Sequence, residues 1–204
     1  MGFYNDFILP RLINLAMRNK ELRPFRERVI GAAEGGVLEI GVGSGMNLPF
    51  YRWPVCEILA LEPAPRLLTM AKSASPTTGV PVNFLEASAE AIPRDQQSVD
   101  TVVTTWTLCS IPQAAVALAE MRRVLRPSGK LLFAEHGQAP DASVRRWQDR
   151  LTPAWRYFGG GCHLNRPIRS MIEAAGFRID RIETGYISGP KPMTCMSEGN
   201  ASPG

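Results

Sequence analysis

Val37-Leu38-Glu39-Ile40-Gly41-Val42-Gly43-Ser44-Gly45 decides the fold. Four residues that read as a buried strand run straight into three alternating glycines, so the chain turns sharply where the strand ends. Glycine there permits positive φ and lets a ligand approach the backbone with no Cβ in the way. The spacing then sorts the ligands. A dinucleotide loop needs its third glycine one position later, where this chain has Met46, and no Gly-Lys-Ser/Thr follows to make a P-loop.

Outward from this loop, EILALE (57–62), VNFLEA (82–87), VDTVVTT (99–105) and KLLFAE (130–135) are further short, branched apolar runs. This is the pattern of strands buried on both faces. Helical stretches lie between them: PAPRLLTMAKSA after the second run and QAAVALAEMRRVLRPSG before the last, with Pro127 and Gly129 as stop and turn. Strand–helix alternation predicts βαβ units, a parallel sheet, and functional residues at the C-terminal ends of the strands. The whole reads as one domain. Residues 1–34 predict helices on Leu9, Leu12, Ile13, Ala16 and Met17, and 36–137 the ligand-binding core. The aromatic and basic insertion 138–166 predicts a lid, 167–190 a helix and closing strands, and SEGNASPG a disordered tail.

Composition narrows the class. Hydrophobic residues at 45% and charged residues at 21% are globular values, and no apolar run approaches the roughly 18 residues of a membrane span. Asp6, Pro10 and Arg11 interrupt the N-terminal apolar stretch, so no secretion signal is expected. The four cysteines are widely spaced with no CxxC pair, which predicts neither a zinc finger nor a disulfide framework and fits a reducing cytoplasm. The net charge of +4 is scattered, so nucleic acid is not an expected partner.

From about residue 36 to 185 the chain resembles the class I S-adenosylmethionine (SAM)-dependent methyltransferases. That resemblance implies an α/β, Rossmann-like, doubly wound and mostly parallel seven-stranded sheet with helices on both faces. It also implies SAM as cofactor and S-adenosylhomocysteine as product. Position by position, Glu39, Gly41, Gly43 and Gly45 match the first motif, with Asn47 in the same loop. Glu62 falls where an acid accepts from the ribose hydroxyls, with Pro63 after it. Ser88, Ala89 and Glu90 fall at the adenine, and Thr105 and Trp106 beside the sulfonium. Tyr4 is expected to close over the cofactor.

MRNKELRPFRERV, EIGVGSGMNLPFY, WTLCSI, AEHG, WQDRLTPAW and GGCHLNR occur in the same order in methyltransferase-like thiol S-methyltransferases and their bacterial relatives. The likeness implies a small, largely apolar acceptor, with a thiol favoured. Alternatives are O-, N- or C-methylation of a phenol, quinone or lipid amine, or a SAM-binding subunit that does not catalyse. Two departures are read from the sequence: no membrane-anchoring segment like that of the animal enzymes is expected, and Val42 replaces their usual cysteine.

The chemistry is an in-line displacement at a methyl group, so the protein mainly aligns two atoms and excludes water. A thiol, already partly ionised near pH 7, needs at most a modest base. His136, at the end of the fifth run, is the candidate base or orienting residue, or else an ordinary strand-end histidine. Cys109, Trp147, Trp155, Cys162 and His163 are candidates for the acceptor side, with Tyr157 and Phe158 as wall or as core beneath the lid. His136, Cys162 and His163 lack a well-spaced fourth ligand, so no metal is expected. The glycines of GGGCHLNR (159–166) follow no buried strand and read as a turn closing the insertion, with Asn165 as N-cap of the next helix. A monomer or homodimer acting on a small molecule is the expected state.

Overall fold

The computed structural model describes residues 4–204, apart from the side chains of residues 5 and 6. The first three positions of the expected 1–34 helical segment lie outside the described residues. Seven strands form one sheet: β1 (Gly35–Ile40), β2 (Val55–Leu61), β3 (Val82–Leu85), β4 (Val99–Thr105), β5 (Leu125–His136), β6 (Phe177–Tyr186) and β7 (Cys195–Pro203). Their order is β3-β2-β1-β4-β5-β7-β6. The first five run parallel, and β7 is antiparallel to both β5 and β6. The order reverses between β1 and β4, which opens a crevice at their C-terminal ends.

Period-two alternation puts each apolar run to work on both faces. Leu38, Ile40, Val102, Leu131 and Phe133 pack beneath α4 (Ala114–Val124) and α6 (Ile168–Ala174). Val37, Ile58, Val103, Leu132 and Ala134 pack beneath α2 (Arg23–Ile30) and α3 (Pro65–Ala74). Each such buried side chain contributes about 1.5–3 kcal/mol. The remaining helices, α1 (Leu9–Ala16), α5 (Ala142–Phe158) and α7 (Lys191–Thr194), cover the C-terminal edge of the sheet or its flank. Among the described residues no helix is long and apolar enough to cross a membrane.

Three local expectations are corrected. SEGNASPG is not disordered: all but its last residue lie in β7, bonded to a strand on each side. Its few apolar side chains mislead because the ladder on both edges holds it. Gly199 is required there, since a Cβ would lie 2.0 Å from the Arg181 carbonyl oxygen, and Glu198 is neutralised by Arg28 at 2.8 Å. α4 ends at Val124, ahead of Pro127, and Leu125 already pairs with Val99; the register then slips before Thr101 meets Lys130. Asn165 does not cap α6, whose N-cap is Pro167; its amide donates to Asp149 Oδ1 at 2.7 Å.

Candidate active site

A cavity of about 330 Å³ opens in the crevice over β1, β2 and β4. Gly41, Gly43, Asn47, Glu62, Pro63, Ser88, Ala89, Thr105 and Trp106 line it, and Leu9, Ile13 and Met17 from the α1 region roof it. The glycine loop is shaped for close approach. Gly41 has φ +66°, and a Cβ there would sit 2.6 Å from the Thr107 side chain. Gly45, at φ +82°, packs against α3, with the Ala71 Cα 3.1 Å from where a Cβ would stand.

Beneath the loop lies a buried polar network. The Asn47 amide donates to Glu39 Oε1 at 2.8 Å and to Thr105 Oγ1 at 2.9 Å. Its carbonyl oxygen accepts from Arg26 Nε at 3.1 Å, and Arg26 also donates to the Met17 carbonyl at 2.9 Å. The guanidinium lies over the Trp106 ring, 4.8 Å from its centroid. Glu39 is buried under this cap, and burial lifts its pKa to about 7 against the opposing pull of Asn47, the nearby Tyr51 hydroxyl and Arg26. Its second oxygen, Oε2, has no hydrogen-bond partner within bonding geometry. Arg26 carried no sequence signal, because its partner Asn47 stands on a different element.

Glu62, at the end of β2, accepts from the Gly43 amide on one oxygen and the Ala64 amide on the other, each at 3.0 Å. Burial raises its pKa, and the Ala64 and Gly43 amides partly offset that. Glu90 stands apart from the expected adenine site: it does not line the cavity, and its carboxylate accepts from the Gln113 amide at 2.7 Å and the Ser88 hydroxyl at 3.0 Å. Tyr4 lines a second cavity with Arg156, Tyr157 and Phe158. Its hydroxyl donates to the Phe158 carbonyl at 2.6 Å, tying the N-terminus to the end of α5.

Beyond β4 the chain is strained. Trp106 has φ +51°, costly for a bulky residue. Two anchors hold it: its amide donates to the Ala134 carbonyl at 2.8 Å, and the next two amides, of Thr107 and Leu108, donate to Glu135 Oε2 at 3.0 and 3.1 Å. The Thr104 hydroxyl adds a bond to Glu135 Oε1 at 2.8 Å. Burial drives the Glu135 pKa to about 8, with Cys109 adding to the rise and the hydrogen bonds opposing it. Glu135 stood within AEHG without being singled out; the signal available was an acid at the end of a buried apolar run, the same one that marked Glu62.

His136, on the opposite face of β5, is buried, and neither ring nitrogen has a hydrogen-bond partner. Burial lowers its pKa, opposed by Cys109 and by the Pro192 carbonyl, which lies close but outside bonding geometry. The imidazole is therefore neutral near pH 7.

GGGCHLNR closes over the loop after β4. The His163 amide and ring Nδ1 meet the Cys109 carbonyl at 2.8 and 3.1 Å, and Arg166 donates to the Leu108 carbonyl. Gly160 reaches the wall of the first cavity. Cys109, Trp155, Cys162 and His163 are thus gathered where this segment meets the loop after β4, and none of the four lines the cavity. Trp147 is not: it is 55% exposed, with the Arg150 guanidinium over its ring. Tyr157 and Phe158 are exposed too, packed edge to face on each other. Among the described residues no group of three or more histidine, cysteine or acidic side chains is placed to hold a metal.

A family model described as a methyltransferase domain matches residues 38–133. Thiol S-methyltransferase TMT1B of Homo sapiens is 35% identical over 177 residues, covering 83% of this chain and 72% of that protein. The chain belongs to the SAM-dependent methyltransferases. Thiol S-methyltransferase TMT1B of Rattus norvegicus is 36% identical over 72% of this chain, a match that spans 62% of the rat protein's length. A malonyl-[acyl-carrier protein] O-methyltransferase of Methylococcus capsulatus is 29% identical over 84% of this chain and 62% of its own. In fold, this methyltransferase is similar to a solved Bacillus halodurans methyltransferase, with a TM-score of 0.72, 14% identity, and 91% of this chain and all of that one covered. The enzyme's cofactor is SAM, and the cavity suits it: close-approach glycines and a buried acid at the end of β2 line it.

Proposed function

We propose that this methyltransferase passes the methyl group of SAM to the sulfur of a small, largely apolar thiol. SAM, when bound, supplies a methyl carried on a sulfonium and so open to a nucleophile. In this reading the Gly41–Asn47 loop holds the methionine portion, with Glu39 behind Asn47, and Glu62 holds the ribose hydroxyls. Ser88 and Ala89 lie against the adenine, and Thr105 and Trp106 stand beside the sulfur. Roofing by Leu9, Ile13 and Met17 keeps water out, which strengthens every electrostatic contact inside.

The observation that supports the acceptor assignment is His136, neutral, buried and with neither ring nitrogen in a hydrogen bond; it stands outside the residues that line the cavity, within electrostatic reach of Cys109. A thiol loses its proton near pH 8.5, so a neutral imidazole is base enough to take it. The buried acid nearest the strained loop, Glu135, is already committed to the Thr107 and Leu108 amides, which leaves it poorly placed to attract a cationic amine. The likeness to thiol S-methyltransferases supports the same assignment.

His136→Ala tests it. With an alkyl thiol as acceptor, kcat at pH 7 is expected to fall about 10²-fold, and the deficit is expected to shrink as pH rises through the thiol's own pKa, where no base is needed. A deficit that stays constant from pH 7 to 9 would remove His136 from the proton path.

A further inference from the structure

The lid segment and the loop after β4 each bring a cysteine to the same place. We propose that Cys109 and Cys162 form a redox-active dithiol that exchanges with low-molecular-weight disulfides and closes into an intramolecular disulfide between the two segments. The backbone is already set for it. The hydrogen bond from the His163 amide to the Cys109 carbonyl holds the two cysteine Cα atoms within about 8 Å by covalent geometry alone. The two thiols interact directly, and with that backbone hydrogen bond in place the pair stands near the Cα separation that a disulfide spans. Arg166, bonded to the Leu108 carbonyl, and the His163 ring, on the Cys109 carbonyl, fasten the lid on both sides of the pair.

The two sulfurs have different roles. Cys162 is half-buried, whereas Cys109 is buried and donates weakly to the Trp106 carbonyl. The Cys162 thiolate is favoured by the Cys109 thiol and, more weakly, by the Trp155 indole and Arg166, against burial and the Glu135 charge. The Trp155 indole nitrogen is buried with no partner in bonding geometry, and a thiolate at Cys162 would supply one. Cys162 is therefore the attacking sulfur. Its thiolate attacks one sulfur of R–S–S–R, the S–S bond breaks, and one RS⁻ leaves. Cys109 then gives up its proton and attacks the Cys162 sulfur, expelling the second RS⁻. The two cysteines are oxidised, the small disulfide is reduced to two thiols, and the protons lost by the cysteines are taken up by the departing thiolates. Excess thiol reverses both steps.

This chemistry stands apart from methyl transfer and needs no SAM. Full-length protein is incubated with bis(2-hydroxyethyl) disulfide, quenched with N-ethylmaleimide and analysed by intact mass and non-reducing peptide mapping. Two of the four cysteines should escape alkylation, with the mass lower by two hydrogens before alkylation and the Cys109 and Cys162 peptides joined. Dithiothreitol should restore both, and exposed Cys56 should carry either the alkylating agent or a hydroxyethanethiol adduct and should not be joined to another cysteine of the same chain. Cys109→Ser should trap hydroxyethanethiol on Cys162. Alkylation of both cysteines after incubation, a lasting adduct on Cys162 in the unmutated protein, or linkage only between chains through Cys56 would overturn the proposal. The peptide map of the unmutated protein decides the matter even where a variant fails to fold.

Discussion

Replacing Asn47 with alanine removes three buried hydrogen bonds in one step, because this amide alone connects Glu39, Thr105 and Arg26. Bonds to charged partners contribute about 1.5–3 kcal/mol each and the neutral one about 1 kcal/mol. The simple total, roughly 4–7 kcal/mol, is an upper bound, since the adjacent cavity admits water to the freed groups and members of one network are not additive. A loss of about 3 kcal/mol is the expectation. Urea unfolding of the cofactor-free protein measures it as a lower midpoint at unchanged slope. A loss below about 1 kcal/mol would mean that the network is not holding the loop, and the reasoning about its energetics would fail.

Glu62→Ala should weaken SAM binding in calorimetry by about 1–3 kcal/mol, the cost of leaving polar partners unmet; an unchanged affinity would displace Glu62 from the ribose site. The pH dependence of stability should run opposite to that of an ion-paired acidic residue. Glu39 and Glu135 have pKa values raised to about 7 and about 8, above their unfolded values, so the stability they contribute is present in full below the unfolded pKa and is lost as pH rises through these values. His136, lowered by burial, acts in the other sense, but below its unfolded pKa near 6.5. The melting temperature of the cofactor-free protein should therefore fall between pH 6.5 and 8.5, and a rise over that window would contradict the buried-acid assignments. Only Cys162, whose thiolate is favoured, opposes the trend near the top of it.

The sheet was legible because strands buried on both faces write themselves as unbroken apolar runs. The edge strands β3 and β6 are less buried, and β7 carries SEGNASPG: two neighbouring ladders supply what its side chains do not. The cofactor loop was legible from glycine spacing, since Gly41 and Gly45 both need conformations or contacts that a Cβ would block. Arg26 was not, because its meaning comes from Asn47 across the fold. Glu135 was missed although an acid ending a buried strand is a readable signal. Trp147 was misplaced because aromatic content says nothing about facing: Val144, Gln148 and Thr152, four apart, mark the inner face of α5, and Trp147 lies off it. The Cys109–Cys162 contact was invisible for a further reason, since only the folding of GGGCHLNR onto the loop after β4 creates it.

The most direct test of the account is methyl transfer from SAM labelled with deuterium in its methyl group, followed by mass spectrometry across a panel of alkyl and aryl thiols, phenols and amines. The account predicts deuterated thioethers, formed with kcat/KM at least about tenfold above that for any phenol or amine, a difference of about 1.4 kcal/mol in transition-state stabilisation. Labelled product from phenols or amines alone, with the thiols untouched, would contradict it.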